Sequence, residues 1–496
     1  MTGALRLQTW KELRALLPWW AATVATLAGF GMVQVMGDFS RNEISRLQLA
    51  ATCVYFAGAG ALGALSVGHE FTYRTVQALF AQPVRRSQLL SVKLAVLAVL
   101  LLGLAGTVSL IPEPNFITAG SLMDRAGLWL PLMCGLFLAP WLTIVTRSAL
   151  AGAVFSIALP MIILSFMVAT DIKGSAILAV SALGSVLTWR IFLRLEALDE
   201  GRGHIGVPAW LKRPMVEDRP RPAPGWLGPL VHKELRLQQM TFVVSALYAA
   251  AWAAMLVARR FDPDYLDVGP RVYAVTGLHS GIIALMAGAL PAADERQYAT
   301  ADWQALLPIA TWKQWLLKAA LAIGLAVGLG LGLPALLGWI HPWPDDVEFS
   351  WEQIHILVLL AATALYVSSV STTGLRALLA AIPIVAGASV ASATVLYPLM
   401  SALRRIGGPW AYSLVGPATL DASSARLVAI IAISVLLGGL TLLLLGMGLR
   451  NHRSADRSRG RLLRQAGWIA AYVAAGIAVL TLLSLITSAG LRLQVP

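Results

Sequence analysis

Three things are scarce or missing in these 496 residues: charge, cysteine and any nucleotide-binding loop. Charged side chains make up 13% of the chain against 58% hydrophobic ones, and the mean hydropathy is +0.72. A soluble domain carries about a quarter charged residues, so a soluble multidomain protein is excluded. The only two cysteines, Cys53 and Cys134, fall inside long apolar runs, which implies neither a disulfide framework nor a zinc cluster. No Gly-Lys pair occurs anywhere, so nothing in the chain can cradle a nucleotide phosphate as a P-loop does. His69-Glu70 opens like a zinc-protease helix, but Tyr73 stands where the second histidine of HExxH belongs and cannot complete a zinc site.

What the chain has in abundance is membrane-length apolar sequence. Runs of roughly 18 to 25 residues, long enough to cross a hydrocarbon core of about 30 Å, recur thirteen times. They cover approximately 18–37, 47–68, 88–111, 127–146, 149–171, 174–193, 240–258, 272–292, 314–340, 354–372, 377–400, 427–449 and 466–489. The expected fold is all-α, a polytopic membrane protein. With a cytoplasmic N-terminus, the inner loops carry 24 Lys and Arg and the outer loops 11, as the positive-inside bias requires. The net charge of +13 therefore reports topology, and no nucleic-acid partner is expected. The expected location is the cell membrane, a bacterial plasma membrane, with no cleavable signal peptide. Membrane lipids are expected partners: RNHRSADRSRGRLLRQ, before the last run, brings six arginines to a surface where anionic lipid attracts each by about 1 kcal/mol.

The chain also repeats itself. Lys11-Glu12-Leu13-Arg14 precedes the first run and Lys233-Glu234-Leu235-Arg236 the seventh. Laying Glu70 to Lys93 over Glu295 to Lys318 at a constant offset aligns Glu70 with Glu295, Tyr73 with Tyr298, Thr75 with Thr300, Pro83 with Pro308, and Lys93 with Lys318. The expected organisation is a first six-span unit over 1–195 with a polar island at 69–93, and a proline- and charge-rich linker over 196–230. A second six-span unit follows over 231–450 with its island at 294–318, then a basic segment and final span over 451–496. An even span number makes the two units parallel repeats. Lys93 and Lys318 are expected to snorkel to headgroups. Glu70 and Glu295, at inner span ends where anionic lipid offers a carboxylate nothing, are expected to meet a protein partner.

The basic KEL-R segment, the six spans and the island EFTYRTVQALFAQPVRRSQLLSVK, with its second copy ERQYATADWQALLPIATWKQWLLK, resemble the membrane subunit of ABC-2 type ATP-binding cassette exporters. The resemblance covers nearly all of the first 450 residues. It implies a permease without enzymatic activity of its own and without a cofactor in this chain, ATP and Mg being bound by separate cytoplasmic ATPase subunits, two per chain. It also implies that Lys11, Glu12, Arg14, Lys233, Glu234 and Arg236 lie on amphipathic elbow helices. Coupling helices that dock on the ATPase would carry Glu70, Tyr73, Thr75, Pro83, Arg85 and Arg86, and Glu295, Tyr298, Thr300 and Pro308. Arg85 and Arg86 serve equally as topology anchors, and the second copy has Ala310 and Thr311 in their places.

Other classes fit less well. A secondary transporter of two-times-six-span architecture shares the layout, but ion coupling needs ionisable groups at membrane depth, and every Asp and Glu is expected in loops or at span ends. A lipid-sugar transferase would rest on Asp262, Asp264 and Asp267 in one proline-containing loop. An intramembrane serine hydrolase would need His279 to face Ser280, although helical neighbours diverge by about 100°.

Overall fold

The computed structural model describes residues 3–36, 41–73, 75–82, 84–110, 123–166, 173–194, 227–261, 269–297, 300, 304, 307–340, 351–391, 422–454 and 458–492. Every element among them is a helix, the form in which a segment inside a bilayer satisfies its own backbone. In order these are α1 (Gly3–Met36), α2 (Arg41–Thr72), α3 (Val76–Phe80), α4 (Arg86–Ser109), α5 (Met123–Met133) and, through a π-helical turn at Cys134–Leu138, α6 (Ala139–Thr146). Then come α7 (Ala149–Phe166), α8 (Lys173–Arg194), α9 (Leu227–Leu237), α10 (Gln239–Phe261) and α11 (Gly269–Gln297). The last are α12 (Thr311–Val327), leading through a second π turn at Gly328–Gly332 into α13 (Leu333–Ile340), α14 (Trp351–Ser368), α15 (Gly374–Ala391), α16 (Ala422–Arg453) and α17 (Arg459–Arg492).

Nine of the described helices are long and apolar enough to cross a membrane, and three more stretches, Ala149–Pro160, Gln353–Ser368 and Gly374–Val385, are apolar but shorter. This is the build of a multi-pass helical membrane protein. Of the thirteen expected runs, 149–171 and 377–400 extend beyond the described residues by five and nine residues, 18–37 and 88–111 by one each, and 174–193 lies on α8.

Packing divides the chain into two compact units, Met1–His279 and Ser280–Pro496. The division falls inside α11 rather than in the expected linker, most of which (196–226) is outside the described residues. The reason is local: α10 packs on α7 and so joins the first unit.

In the first unit α2 is the central helix, packed by α1, α6 and α7. Its alternation of Gly and Ala lets neighbours approach backbone to backbone, the way membrane helices gain contact where lipid offers no hydrophobic drive. A Cβ added at Gly63 would stand 1.9 Å from the Gly135 carbonyl oxygen, in the π turn. Pro131 and Pro140 bracket that turn, and each removes a backbone donor. In the second unit the alanines Ala289, Ala293, Ala364, Ala377 and Ala381 knit α11, α14 and α15 together. There a Cβ at Gly288 would meet the Ala361 carbonyl at 2.2 Å.

The two expected elbows differ. The second is a separate short helix, α9, ended at Gln238, whose N–H bonds both Glu234 O and Leu235 O. The first is no separate element: LQTWKELRALL and the following span are one continuous α1 that runs through Pro18, because no glycine falls between Gly3 and Gly29 and the Leu, Ala, Arg and Lys of the basic segment favour helix.

Candidate functional site

Each island begins where a helix ends. α2 closes at Thr72 and α11 at Gln297, two residues beyond Glu70 and Glu295. From there the two backbones follow one path. Thr75 N–H bonds Glu70 O at 2.9 Å and Thr300 N–H bonds Glu295 O at 2.8 Å. Leu79 to Thr75 matches Gln304 to Thr300; Gln82 to Leu79 matches Leu307 to Gln304; Val84 to Gln82 matches Ile309 to Leu307. At the start of the next helix, Gln88 and Leu89 bond Arg85 O as Lys313 and Gln314 bond Ala310 O. Arg85 and Ala310 are extended residues with no helical φ/ψ, at φ −62, ψ 135 and φ −54, ψ 131. The same backbone is thus held by different side chains. Leu79 and Leu89 pack in the apolar cluster of the first island. Their counterparts Gln304 and Gln314 are also buried, and Gln314 Nε2 donates to Gln304 O and to Ile309 O at 2.9 Å.

Beneath each island lies a buried ion pair. Lys93, two turns into α4, is fully buried. Its three ammonium hydrogens have three acceptors: Glu12 Oε1 at 2.6 Å, Ser66 O at 3.1 Å and Glu70 Oε1 at 3.3 Å. Glu70, 1% exposed, accepts further from Lys11 Nζ at 2.9 Å on Oε1 and from the Thr75 hydroxyl on Oε2. Glu12 accepts from Gln8 Nε2 at 2.7 Å. Two cations and two carboxylates therefore join α1, α2, α4 and the entry to α3. Without such saturation each buried ion would cost several kcal/mol. In the second island Lys318, equally buried, bonds Glu295 Oε1 at 2.5 Å, and the Thr300 hydroxyl donates to Glu295 O at 3.1 Å.

These positions correct several expectations. Lys93 and Lys318 do not snorkel, because each has a carboxylate inside the bundle that lipid headgroups would replace only at the loss of a saturated pair. Glu70 and Glu295 face inward, so their oxygens offer no surface to a docking subunit. Glu12 belongs to the Lys93 network rather than to a headgroup-level elbow, and Glu234 on α9 is also buried, with Lys233 Nζ 3.6 Å away. Not every carboxylate sits in a loop or at a span end: Glu12 lies within the apolar helix Leu5–Val35. Pro83 and Tyr298 are outside the described residues, as are Asp262, Asp264 and Asp267.

The residues left at the surface are the other half of the site. Tyr73, Arg85, Arg14, Arg236 and Pro308 are exposed. Helix α3 buries Leu79 and sets Phe80 edge-on to Phe192 at 5.6 Å, while Gln77 and Ala78 face out. The Arg86 guanidinium lies 4.7 Å over the Phe80 ring and donates to Leu193 O, fastening α3 and α4 to the end of α8. Arg86 thus has a structural task that neither the anchoring nor the docking expectation contained.

In the second unit two further charges flank Glu295. Asp294 accepts from the N–H of Gly374, the first residue of α15, and Arg296 donates to the carbonyls of Ser368, Ser369 and Ser371 where α14 ends. Both match the sign of the helix end they meet. His69 and Phe71, at the same places in the first island, have no such charges, so repeat alignment could not find this pair. The last helix is held by Gln465, whose amide exchanges bonds with Asn451 of α16 and accepts from Tyr366 OH. Compared with protein-family models, with curated proteins and with solved structures, the chain matches none.

Proposed function

We propose that this chain is the membrane permease of an ATP-driven exporter of the ABC-2 type, built from two duplicated six-span halves and coupled to a separate ATPase. The observation that carries the proposal is the pair of islands, alike bond for bond along the backbone and each seated on a buried Glu–Lys pair. An exposed, short amphipathic segment fastened rigidly to two spans is what transmission of force from a soluble subunit requires. Through Thr75 and Glu70 a displacement of α3 reaches α1 and α4 together. Outward-facing Gln77, Arg85 and Gln88 are the docking candidates in place of the buried carboxylates. The substrate would be amphipathic or hydrophobic, moved by alternating access as two conformations exchange, with the island end cytoplasmic.

Purification in mild detergent should bring down a P-loop subunit, two copies per chain by native mass spectrometry. Two chains per two ATPases would instead make each chain a single half. One observation favours a secondary transporter: the ionisable groups Glu12, Glu70, Lys93, Glu295 and Lys318 are buried in the helices, the usual mark of proton relays. Proteoliposomes decide between the two. Transport driven by an imposed pH gradient, without ATP or an ATPase, would replace the exporter reading.

A further inference from the structure

A groove of about 330 Å³ opens on the first unit between α4, α8 and the π turn, lined by Leu94, Leu136, Phe137, Val186, Trp189 and Arg190 among others. Its cause is visible in the helices. α8 touches the π turn at Gly184, where a Cβ would stand 3.2 Å from the Phe137 carbonyl oxygen, and the groove opens beside that contact, one turn further along α8. The two hydroxyls on its wall are already used: Ser185 donates to Ala182 O and Thr188 to Gly184 O. Apart from the indole N–H of Trp189, the wall therefore offers a guest apolar surface and no spare side-chain hydrogen bond until Arg190.

We propose that this groove seats one acyl chain of an anionic phospholipid whose phosphate is held by Arg190 and Arg194. Val186, Arg190 and Arg194 follow at four-residue spacing, hence along one face of α8. Both arginines are exposed residues, and no described group accepts a hydrogen bond from either. Arg86, nearby at the same end of the bundle, is occupied by Leu193 O and Phe80. A forked cation lining the apolar slot, Arg190, with a second, Arg194, one turn further along the same face of α8, matches a phosphate in charge and geometry, and Trp189 has the amphipathic ring typical of the headgroup level. With roughly 30 Å³ for a group the size of a water, the slot takes about ten methylenes, part of one chain. The inference uses only the membrane-spanning character of the helices and does not rest on the exporter proposal.

The test uses the full chain in mild detergent with equal amounts of palmitoyl-oleoyl phosphatidylglycerol and phosphatidylcholine, read by native mass spectrometry. The wild type should retain phosphatidylglycerol in clear excess, and Arg190→Gln/Arg194→Gln should lose that preference by about tenfold while eluting as an intact monodisperse protein. Ser185→Phe, which fills the slot without altering charge, should lower retention of both lipids. A phosphatidylglycerol with a photoreactive acyl chain provides a readout independent of any variant, and it should label peptides covering 134–138 and 185–190. Equal retention of the two lipids by the wild type, an unchanged preference in the arginine variant, or label spread evenly over all helices would each overturn the proposal.

Discussion

Lys93→Met isolates the ammonium of the first island, because methionine keeps most of the apolar stem. In the wild type that ammonium is fully buried with three acceptors. Its removal leaves Glu12 with Gln8, while Glu70 keeps Lys11 and Thr75. Removing one partner of a buried pair costs about 3–5 kcal/mol, and since Glu70 retains a cation the lower end of that range is expected. The double variant Lys93→Met/Glu12→Gln restores balance, with Lys11 and Glu70 still paired and a neutral amide beside an apolar side chain. It should be more stable than the single variant by about 2 kcal/mol, the non-additivity of groups in contact. Equilibrium unfolding of the purified chain in mixed micelles of mild detergent and dodecyl sulfate measures both. A loss below about 1 kcal/mol for Lys93→Met, or a double variant no better than the single one, would refute the saturated buried network.

The same assay should show Gly63→Ala and Gly288→Ala destabilised by about 1–3 kcal/mol, since each new Cβ meets a backbone carbonyl. Gly106→Ala, with nothing within 4 Å, should be neutral or stabilising by up to about 1 kcal/mol. Arg86→Lys should lose about 1 kcal/mol through the Phe80 ring and the Leu193 carbonyl. Arg85→Lys should leave stability unchanged and, in the exporter reading, reduce ATPase stimulation by the assembled complex; full stimulation would return Arg85 to the role of topology anchor. Asn451→Leu should break the amide exchange with Gln465 and raise hydrogen exchange over the first turns of α17 at a cost of about 1 kcal/mol.

Length, apolar runs and the repeated Glu, Tyr, Thr, Pro and Lys made the helical class and the place of both islands legible, because these are properties of spacing. The direction in which Glu70 and Lys93 point was not. A lysine five or six residues into an apolar run looks the same whether it bends outward to lipid or inward to a carboxylate. The discriminating sign was present, since Glu and Lys keep the same separation of 23 residues in both islands, but spacing alone does not say which way either side chain turns. Arg296 and Asp294 were illegible for another reason: their partners are backbone groups at helix ends about 70 to 80 residues away, and backbone groups leave no mark in sequence.

The pairing of Glu70 with Lys93 has a consequence for how the chain enters the bilayer. A lysine at the centre of a lone helix costs about 2.5–3.5 kcal/mol on insertion and one two turns in costs less, and α2 arrives first carrying the opposite charge. In the second half α11 and α12 with their island hold one such pair, whereas in the first half the set closes only over α1, α2 and α4, since α1 adds Lys11 and Glu12. A nascent chain stopped at residue 85 would hold Glu70 with Lys11 but leave Glu12 without Lys93, and should be retained by the insertion machinery longer than one that includes α4. One stopped at residue 110 holds all four charges of the network, so the first three apolar runs, and not each helix singly, should be the step in which this half enters lipid.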